Sequence, residues 1–406
     1  MTGCSSRGPQ TESPERSEAV RQIQSLLDSR AAALKNRDTD AYLAAISSEA
    51  RSFEETLEAG ARTVPAGDFS FSLVESSVRS NSFPVDGVQV VLSYRYDGLP
   101  EDNVFRIPLV YRIDRQGSDL SITDSALGAG TLPIWAVRPV SVTSSDHLLV
   151  LSAEGTGAPA DIMRVAEQAR SEVQEALPFD VDPRFLVVLA QNEAEYHRYL
   201  PPAGPVAGPR VAQANTSYQA TPQDFRVEGR HIIVNLESLA RDRTTLQTFK
   251  HELAHLALAR FTTPATPAWV AESAAMHLAG QKTNWTQRVA TGNFEDLSFA
   301  ELSRTRSLGE QDPSGQSAAL QYSYAAGAAG YLVETFGAGR YWDFYRSYAE
   351  VPAQVLYRSL PSDPNAGEEQ LADLAGRTTD QALRDHFDLT TAELDIAVRG
   401  WLANNA

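Results

Sequence analysis

Cysteine, runs of basic residues and long apolar stretches are all scarce or missing in this chain of 406 residues. Cys4 is its only cysteine, so no disulfide can form within the chain, which fits a cytosolic protein or a bacterial exported protein without bridges. No basic run is present, and the formal net charge of −17 argues against nucleic acid or an anionic membrane as an electrostatic partner. No apolar stretch reaches the roughly 18 residues that a membrane-spanning helix needs.

Histidine is also scarce, yet two of the 7 histidines lie in one pentapeptide, His251-Glu252-Leu253-Ala254-His255. This HExxH pattern is typical of zinc hydrolases, and the composition of the chain predicts it by chance only about 0.02 times. Because a helix turns roughly 100° per residue, two histidines four positions apart lie on one face. They can therefore bind the same metal ion.

The residues around the pentapeptide predict the helix that carries it. Thr244 and Gln247 form a T-x-x-Q pattern, which predicts a capping box at the start of this helix. Its apolar residues fall on the face opposite the two histidines: Phe249, Leu253, Leu256 and Ala257. We therefore expect one face to pack in the core and the other to line a cleft.

A second helix is predicted to return toward the histidines. Pro264 and Pro267 interrupt the chain after the first helix, and Thr266 with Pro267 can cap and open the second. This second helix carries Glu272, which is the candidate third ligand.

These residue types predict a specific reaction. The imidazoles of His251 and His255 and the carboxylate of Glu272 would bind Zn²⁺ and leave its fourth position open for water. Glu252 would act as general base, accepting the proton of that water and returning it to the leaving amine. The alternative is that the histidines are surface residues of an ordinary helix and that both acids are solvated.

The motifs resemble those of the gluzincin metallopeptidases, in particular the peptidase MA-like domains of bacterial lipoproteins and secreted proteins. In that family a strand precedes the HExxH helix, and the glutamate ligand lies in a W-[LV]-x-E-[GS]-x-A phrase. The corresponding segments here are residues 230–236 and Trp269-Val270-Ala271-Glu272-Ser273-Ala274-Ala275. The resemblance covers roughly residues 146–402 and implies a zincin-like domain with a mixed sheet and a mostly helical C-terminal part.

The chain departs from the family at two positions. Ser273 stands where the family usually has glycine, a mild change because serine is also small. Met276 stands where thermolysin-type enzymes have an acid that orients a zinc-bound histidine. The groups that orient the histidines must therefore come from elsewhere in the chain.

Tyrosine and strand positions leave alternatives open. Related gluzincins use a tyrosine to stabilise the oxyanion, and Tyr322 or Tyr324 could serve, although they point to different helix faces and at most one can. Core packing is the alternative for both. The strand at residues 230–236 is either an edge strand that pairs with an extended substrate or a buried interior strand. The other histidines are expected to be structural or solvated: His147, His197, His231, His277 and His386.

The N-terminal part of the chain has a different pattern. Residues 18–58 show helical periodicity, and strands are predicted near residues 69–74, 88–94, 104–111 and 120–122. Helices followed by a curved meander resemble the nuclear-transport-factor-two-like (SnoaL-like) cone. No catalytic constellation is visible there, so we expect a spacer or a binding module.

The first residues, Met1-Thr2-Gly3-Cys4-Ser5-Ser6, resemble the end of a bacterial lipobox, in which the cysteine becomes lipidated. The upstream parts of a signal peptide are missing from this sequence, which indicates a start that is clipped or assigned too late. We therefore predict an extracytoplasmic, membrane-anchored lipoprotein of a bacterium, attached to the membrane only through Cys4. A meaningless N-terminal cysteine is the alternative.

The sequence thus predicts an α+β protein with a flexible tether at residues 1–17, a cone-like α+β domain at 18–130, a connector at 131–145 and the zincin-like domain at 146–402. Its predicted activity is zinc-dependent hydrolysis of a peptide or protein substrate. A catalytically inactive envelope lipoprotein that binds a partner is the alternative, and hydrolysis of a non-peptide amide is a third possibility. The sequence specifies neither a cleavage preference nor an oligomeric state.

Overall fold

The computed structural model describes residues 14–80, 82–128, 133–200, 211–281, 297–305, 307–308, 316–360 and 368–405. Cys4 and most of the predicted tether lie outside these residues, so lipid attachment stays a prediction. The chain divides into two compact units, one of Met1–Gly98 with Val104–Ser141 and one of Leu99–Asn103 with Val142–Ala406. Both helices and sheets are present, as expected for the α+β class. Among the described residues, no helix is both long and apolar enough to cross a membrane.

The first unit consists of three α-helices followed by a four-stranded antiparallel meander. The helices are α1 (Pro14–Asn36), α2 (Thr39–Leu43) and α3 (Arg51–Thr63). The strands, in the order in which they pair, are β1 (Ala66–Leu73), β2 (Val85–Tyr96), β3 (Phe105–Gln116) and β4 (Asp119–Leu127). A short 3₁₀ helix at Glu75–Ser77 follows β1. The order of helices and strands is the predicted one, whereas the likeness to a cone stays a prediction.

Alternation explains why this sheet has one buried face. Along β2, Val88, Val90, Leu92 and Tyr94 are buried, and successive side chains of a strand point to opposite faces. Helix α1 packs against β1 and buries an arginine, Arg30, whose guanidinium forms an ion pair with the equally buried Glu54 of α3.

Two predicted boundaries of this part differ from the structure. Helix α1 begins at Pro14, so the last residues of the predicted tether are helical. The predicted connector at 131–145 is not an open linker, because a 3₁₀ helix at Ile134–Ala136 is buried and Trp135 is fully shielded. The indole N–H of Trp135 donates to Tyr96 Oη at 3.0 Å. Ile134, Trp135 and Ala136 are core residues, so this stretch packs as well as connects.

The second unit is built on a mixed five-stranded sheet in the order β5-β6-β7-β9-β8. The strands are β5 (Val140–Ser144), β6 (Leu148–Ala153), β7 (Phe185–Ala190), β8 (Ala212–Ala220) and β9 (Phe225–Asn235). Strand β7 runs parallel to both β6 and β9, and β8 runs antiparallel to β9. The helices between these strands are α4 (Ala160–Ala176) and α5 (Glu193–Tyr199).

Every described element after β9 is helical. These helices are α6 (Leu236–Leu239), α7 (Thr245–Leu258), α8 (Ala268–Ala279), α9 (Phe299–Leu302), α10 (Gln316–Phe336), α11 (Ala338–Arg346), α12 (Ala353–Ser359), α13 (Glu368–Phe387) and α14 (Thr391–Asn404), with 3₁₀ helices at Ala259–Phe261 and Ser347–Glu350. Helix α7 packs on α4, α8, β8 and β9, while α8 also packs on α10. The HExxH helix therefore packs against several elements of the unit, including β8, which is an edge strand of the sheet.

The strand at residues 230–236 is an interior strand, which decides between the two alternatives left by the sequence. Residues 230–235 belong to β9, which hydrogen-bonds to β7 on one side and β8 on the other, and Leu236 begins α6. The edge strand beside α7 is β8 instead. The purely apolar run Ile232-Ile233-Val234 is typical of a strand covered on both faces.

Candidate metal centre

Helix α7 presents the face that the sequence predicted. Phe249, Leu253, Leu256 and Ala257 are all buried, while His251 and His255 are partly exposed on the other side. The predicted capping box is wrong, because the side chain of Thr244 makes no capping hydrogen bond. Asp242, two residues before Thr244, accepts hydrogen bonds at the start of this helix instead.

The carboxylate of Asp242 organises the start of α7. Its Oδ1 accepts hydrogen bonds from the backbone N–H of Thr244 at 2.8 Å and from the hydroxyl of the same residue at 2.7 Å. Its Oδ2 accepts a hydrogen bond from the Thr248 hydroxyl at 2.8 Å. A carboxylate at this position also interacts favourably with the positive end of the helix dipole.

Helix α8 begins directly after Pro267, but the predicted cap by Thr266 is wrong, because Pro267 is the N-cap residue and no side chain caps the helix. Two buried polar contacts fix the rotation of α8. The indole N–H of Trp269 donates to Ser303 Oγ at 2.9 Å. The Ser273 hydroxyl donates to the carbonyl of Val270 at 2.9 Å and lies 3.0 Å from Tyr341 Oη. Serine at the position where the family usually has glycine thus has a structural partner. With α8 held in this way, Glu272 faces α7.

The structure brings the three predicted ligand side chains together. His251 Nε2 lies 3.2 Å from Glu272 Oε2, His255 Nε2 lies 3.6 Å from the same oxygen, and the two ring nitrogens are 3.2 Å apart. One donor atom from each residue therefore lies within 4.8 Å of the others. The three side chains are only 15–21% exposed. Within the described part of the chain, no second group of three such donors is found.

Charge and burial oppose each other in this cluster. Burial lowers the pKa of His251, but the adjacent carboxylates of Glu272 and Glu252 outweigh burial and raise that pKa to about 9. Burial likewise raises the pKa of Glu272, but the two imidazoles outweigh it and hold that pKa well below its ordinary value. The carboxylate of Glu272 and the imidazole of His251 therefore each favour the charged form of the other.

Glu252 is held beside the cluster by the edge strand. Its Oε2 accepts a hydrogen bond from the backbone N–H of Ala214 in β8 at 2.6 Å. No pattern in the sequence identifies this contact, because every residue except proline carries the same backbone donor. Only the position of β8 at the edge of the sheet identifies Ala214.

These residues line a cavity of about 560 Å³. Its walls include Val211 with the first residues of β8 and Thr216, the beginning of α8, and Tyr322 from α10. The cavity therefore combines the three donors, the candidate base, a strand edge and a phenol in one space.

Tyr322 and Tyr324 are separated as their helical positions predict. Tyr324 is fully buried, its hydroxyl donates to Asp395 Oδ1 at 2.8 Å, and its ring stacks on Phe299 with centroids 4.4 Å apart. Its suggested part in oxyanion stabilisation is therefore wrong, because the phenol is used to join α10 to α14. Tyr322 is the tyrosine that reaches the cavity.

The other histidines have separate surroundings. His147 Nδ1 lies 3.0 Å from Glu167 Oε2, and His197 Nε2 lies 2.9 Å from Glu193 Oε1. His231 Nδ1 donates to the carbonyl of Gly229 at 2.7 Å. Burial lowers the pKa of His277, which lies near the rings of Tyr341 and Trp342. His386 lies beside the ring of Phe344.

Comparison with known proteins gives distant structural neighbours only. No protein-family model matches the chain, and no curated protein is similar to it. A crystal structure of an M1 zinc metallopeptidase from Deinococcus radiodurans is 14% identical over 83% of this chain and 60% of its own, with a TM-score of 0.30. A mutant M1 zinc metallopeptidase from the same organism bound to a Tyr-Ser-Ala substrate is 13% identical over 82% of this chain and 69% of its own, with a TM-score of 0.31. The chain thus spans 60% of the length of the first of these neighbours.

Proposed function

We propose that this chain is a zinc-dependent peptidase with His251, His255 and Glu272 as metal ligands and Glu252 as general base. The observation that carries the proposal is the convergence of these three donors, within 4.8 Å of one another, on the cavity that Glu252 also lines. Two imidazole nitrogens and one carboxylate oxygen are the ligand set of catalytic zinc sites that keep an open position.

The residues present fit a divalent cation. Two ring nitrogens 3.2 Å apart and a carboxylate oxygen, Glu272 Oε2, which lies 3.2 and 3.6 Å from them, face one point. A divalent cation at this point would balance the carboxylate charge while both imidazoles are neutral. Nitrogen ligands with a single carboxylate favour zinc over magnesium or calcium, which prefer oxygen.

The residues around the cluster suit hydrolysis of an amide. Bound Zn²⁺ would lower the pKa of a water molecule and polarise the substrate carbonyl. Glu252 would accept the proton of the attacking water and deliver it to the leaving nitrogen, while the N–H of Ala214 keeps the carboxylate oriented. The phenol of Tyr322 would donate a hydrogen bond to the oxygen on which negative charge develops.

A peptide is the substrate that the surroundings favour. The cavity runs along β8, whose outer edge is not paired with another described strand. An extended peptide can add to such an edge through its backbone, which positions its amide bonds over the cluster. The proposed location outside the cytoplasm depends on the sequence around Cys4 alone.

Zinc content and one substitution test the proposal. The purified full-length chain should contain one zinc ion and cleave members of a peptide library. Glu252→Gln should keep the zinc and lose hydrolysis by at least about a hundredfold, since the base is removed and the ligands are not. Absence of zinc, or a metal-loaded protein that cuts no peptide while a cell-envelope partner co-purifies, would favour an inactive binding module.

A further inference from the structure

A second cavity of about 300 Å³ continues from the candidate metal centre along the same edge strand. Thr216, Thr262 and Thr266 line both cavities, so the two spaces are neighbours. The second one extends along β8 to Tyr218 and reaches the start of α13 at Leu371. It lies entirely within the second unit.

The edge strand changes direction where the two cavities meet. Asn215 pairs with His231, but Ser217 pairs with Glu228, so β9 has one extra residue between these pairs. Gly229 accommodates the extra residue with a φ of 60°. Such a bulge bends a hairpin and increases its twist. The part of β8 beyond Thr216 is thereby turned from the first cavity to the second.

The walls of the second cavity suit an apolar side chain. Tyr218, Phe225, Leu371 and Ala372 are among its apolar lining residues, and five threonines also line it. Among the described residues that line it, Arg304 alone is charged, and its guanidinium is already paired with Asp373. The cavity therefore offers no free charge that would select an acidic or basic side chain.

The exposure of Tyr218, an aromatic residue, is accounted for if its ring forms a wall of a binding cavity. Its side chain is 48% exposed although it lies in a strand, and its ring lies 5.7 Å from that of Phe225. An apolar side chain placed in the cavity would cover part of this pair. Burial of that surface would favour binding.

We propose that the second cavity binds an apolar side chain of an extended peptide substrate, two to four residues from the bond that is cleaved. This inference rests on the proposed peptidase function. From Ala214, which holds the base, to Tyr218 the strand advances four residues, or about 13 Å at its usual rise. A peptide paired with β8 advances at the same rate. The substrate class is therefore a chain with several residues on one side of the cleaved bond, not a dipeptide.

Matched peptides test the subsite. A cleaved peptide from the library is lengthened so that four residues lie on the amino side or on the carboxyl side of the cleaved bond. Leu or Ser is placed at the second, third or fourth residue from that bond. The wild-type chain should prefer Leu over Ser about tenfold in kcat/KM at one of these positions on one side. Equal rates for Leu and Ser at every position on both sides would overturn the proposal.

Substitutions connect the preference to this cavity. Ala372→Phe should fill it and abolish the preference for Leu, while kcat/KM for the unextended peptide stays unchanged. Gln370→Phe is the matched control, because it places the same ring at an exposed position of α13 and should keep the preference. Tyr218→Ser provides a second test at an exposed residue and should weaken the preference. If Ala372→Phe and Tyr218→Ser both retain the preference for Leu, the proposed location of the subsite is wrong.

Binding measurements separate this inference from the proposed function. Fluorescence anisotropy with Glu252→Gln measures affinity for the Leu and Ser peptides without cleavage. If the wild-type chain cuts no library member, the Leu and Ser peptides are built instead on a library peptide that binds the chain. If Ala372→Phe then removes the tighter binding of the Leu peptide, the subsite is supported and the peptidase function is contradicted. If peptides are cut without any such difference in affinity or rate, the function stands and the subsite falls.

Discussion

The backbone N–H of Ala214 donates to Oε2 of Glu252 at 2.6 Å, which connects the edge strand to the candidate base. This donor points away from β9, so β8 offers the cleft a backbone group that the sheet does not use. One strand edge thus orients the base and borders the space for a substrate. The relationship explains why β8, and not the interior strand β9, matters for the site.

Proline at position 214 should separate the role of this N–H from the role of the fold. Because the donor faces away from β9, Ala214→Pro removes it without removing a hydrogen bond between β8 and β9. We expect kcat to fall about tenfold or more, since the base loses its orientation, while zinc content stays at one ion. Peptide kinetics and metal analysis of the same preparation check this.

Gln213→Pro is the matched control for that substitution. Strand alternation turns the N–H of Gln213 toward β9, where it pairs opposite Ile233. This variant should lower the melting temperature more than Ala214→Pro does. If both variants lose stability equally and neither changes kcat in the folded protein, Ala214 has no positioning role.

Two tyrosines that are two residues apart in α10 should respond differently to the same substitution. Tyr322→Phe should lower kcat about a hundredfold with little change in KM, because an oxyanion donor acts mainly in the transition state. Tyr324→Phe should leave kcat nearly unchanged and reduce stability by about 1 kcal/mol, because it loses the bond to Asp395. Peptide kinetics and urea unfolding of both variants distinguish the catalytic role of Tyr322 from the structural role of Tyr324. A reversed pattern would contradict the assignment of Tyr322.

Local spacing explains how much of the site could be predicted. His251, His255 and Glu272 lie on two successive helices, where separations of four residues and a proline-initiated turn determine which side chains face one another. The face of α7 formed by Phe249 and Leu253 followed from the same periodicity. These features depend on residues that are close together in the sequence, so they could be predicted from it.

Strand order depends on distant pairings and was not predictable in this way. The run Ile232-Ile233-Val234 has the same appearance in an edge strand and in an interior strand, and only its pairing with both β7 and β8 decides. The cap of α7 was misassigned for a related reason, since Asp242 acts through a bend that the T-x-x-Q pattern does not include. Helical periodicity likewise separated Tyr322 from Tyr324 without telling which one faces the cavity.

Zinc affinity should depend on pH because the metal competes with a proton. In the metal-free protein the pKa of His251 is raised to about 9, so this imidazole is protonated at pH 7, whereas a zinc ligand must be neutral. Binding then releases one proton. The dissociation constant should fall about tenfold per pH unit from pH 7 toward 9 and level off above 9. Competition with a chelator of known affinity in buffered zinc measures it, and a constant affinity across this range would contradict the raised pKa.

The buried ion pair of the first unit should be costly to break and cheaper to replace. The guanidinium of Arg30 contacts Glu54, lies 4.3 Å from the ring centroid of Tyr42, and is 1% exposed, while Tyr42 Oη donates to Glu54 at 2.6 Å. Glu54→Gln would leave the arginine charge buried without its counterion and should cost about 3–5 kcal/mol of unfolding free energy. The double variant Arg30→Met with Glu54→Leu should cost clearly less, because neither charge then remains buried.

Urea unfolding of Arg30→Met, of Glu54→Leu and of the variant that combines them gives the coupling between the two residues. Folded protein of each variant should still bind zinc, because the pair lies in the unit that does not contain the metal cluster. If the double variant is as unstable as the sum of the single variants, the two charges do not compensate each other. Hydrogen bonding by each residue, and not their opposite charge, would then account for their presence in this core.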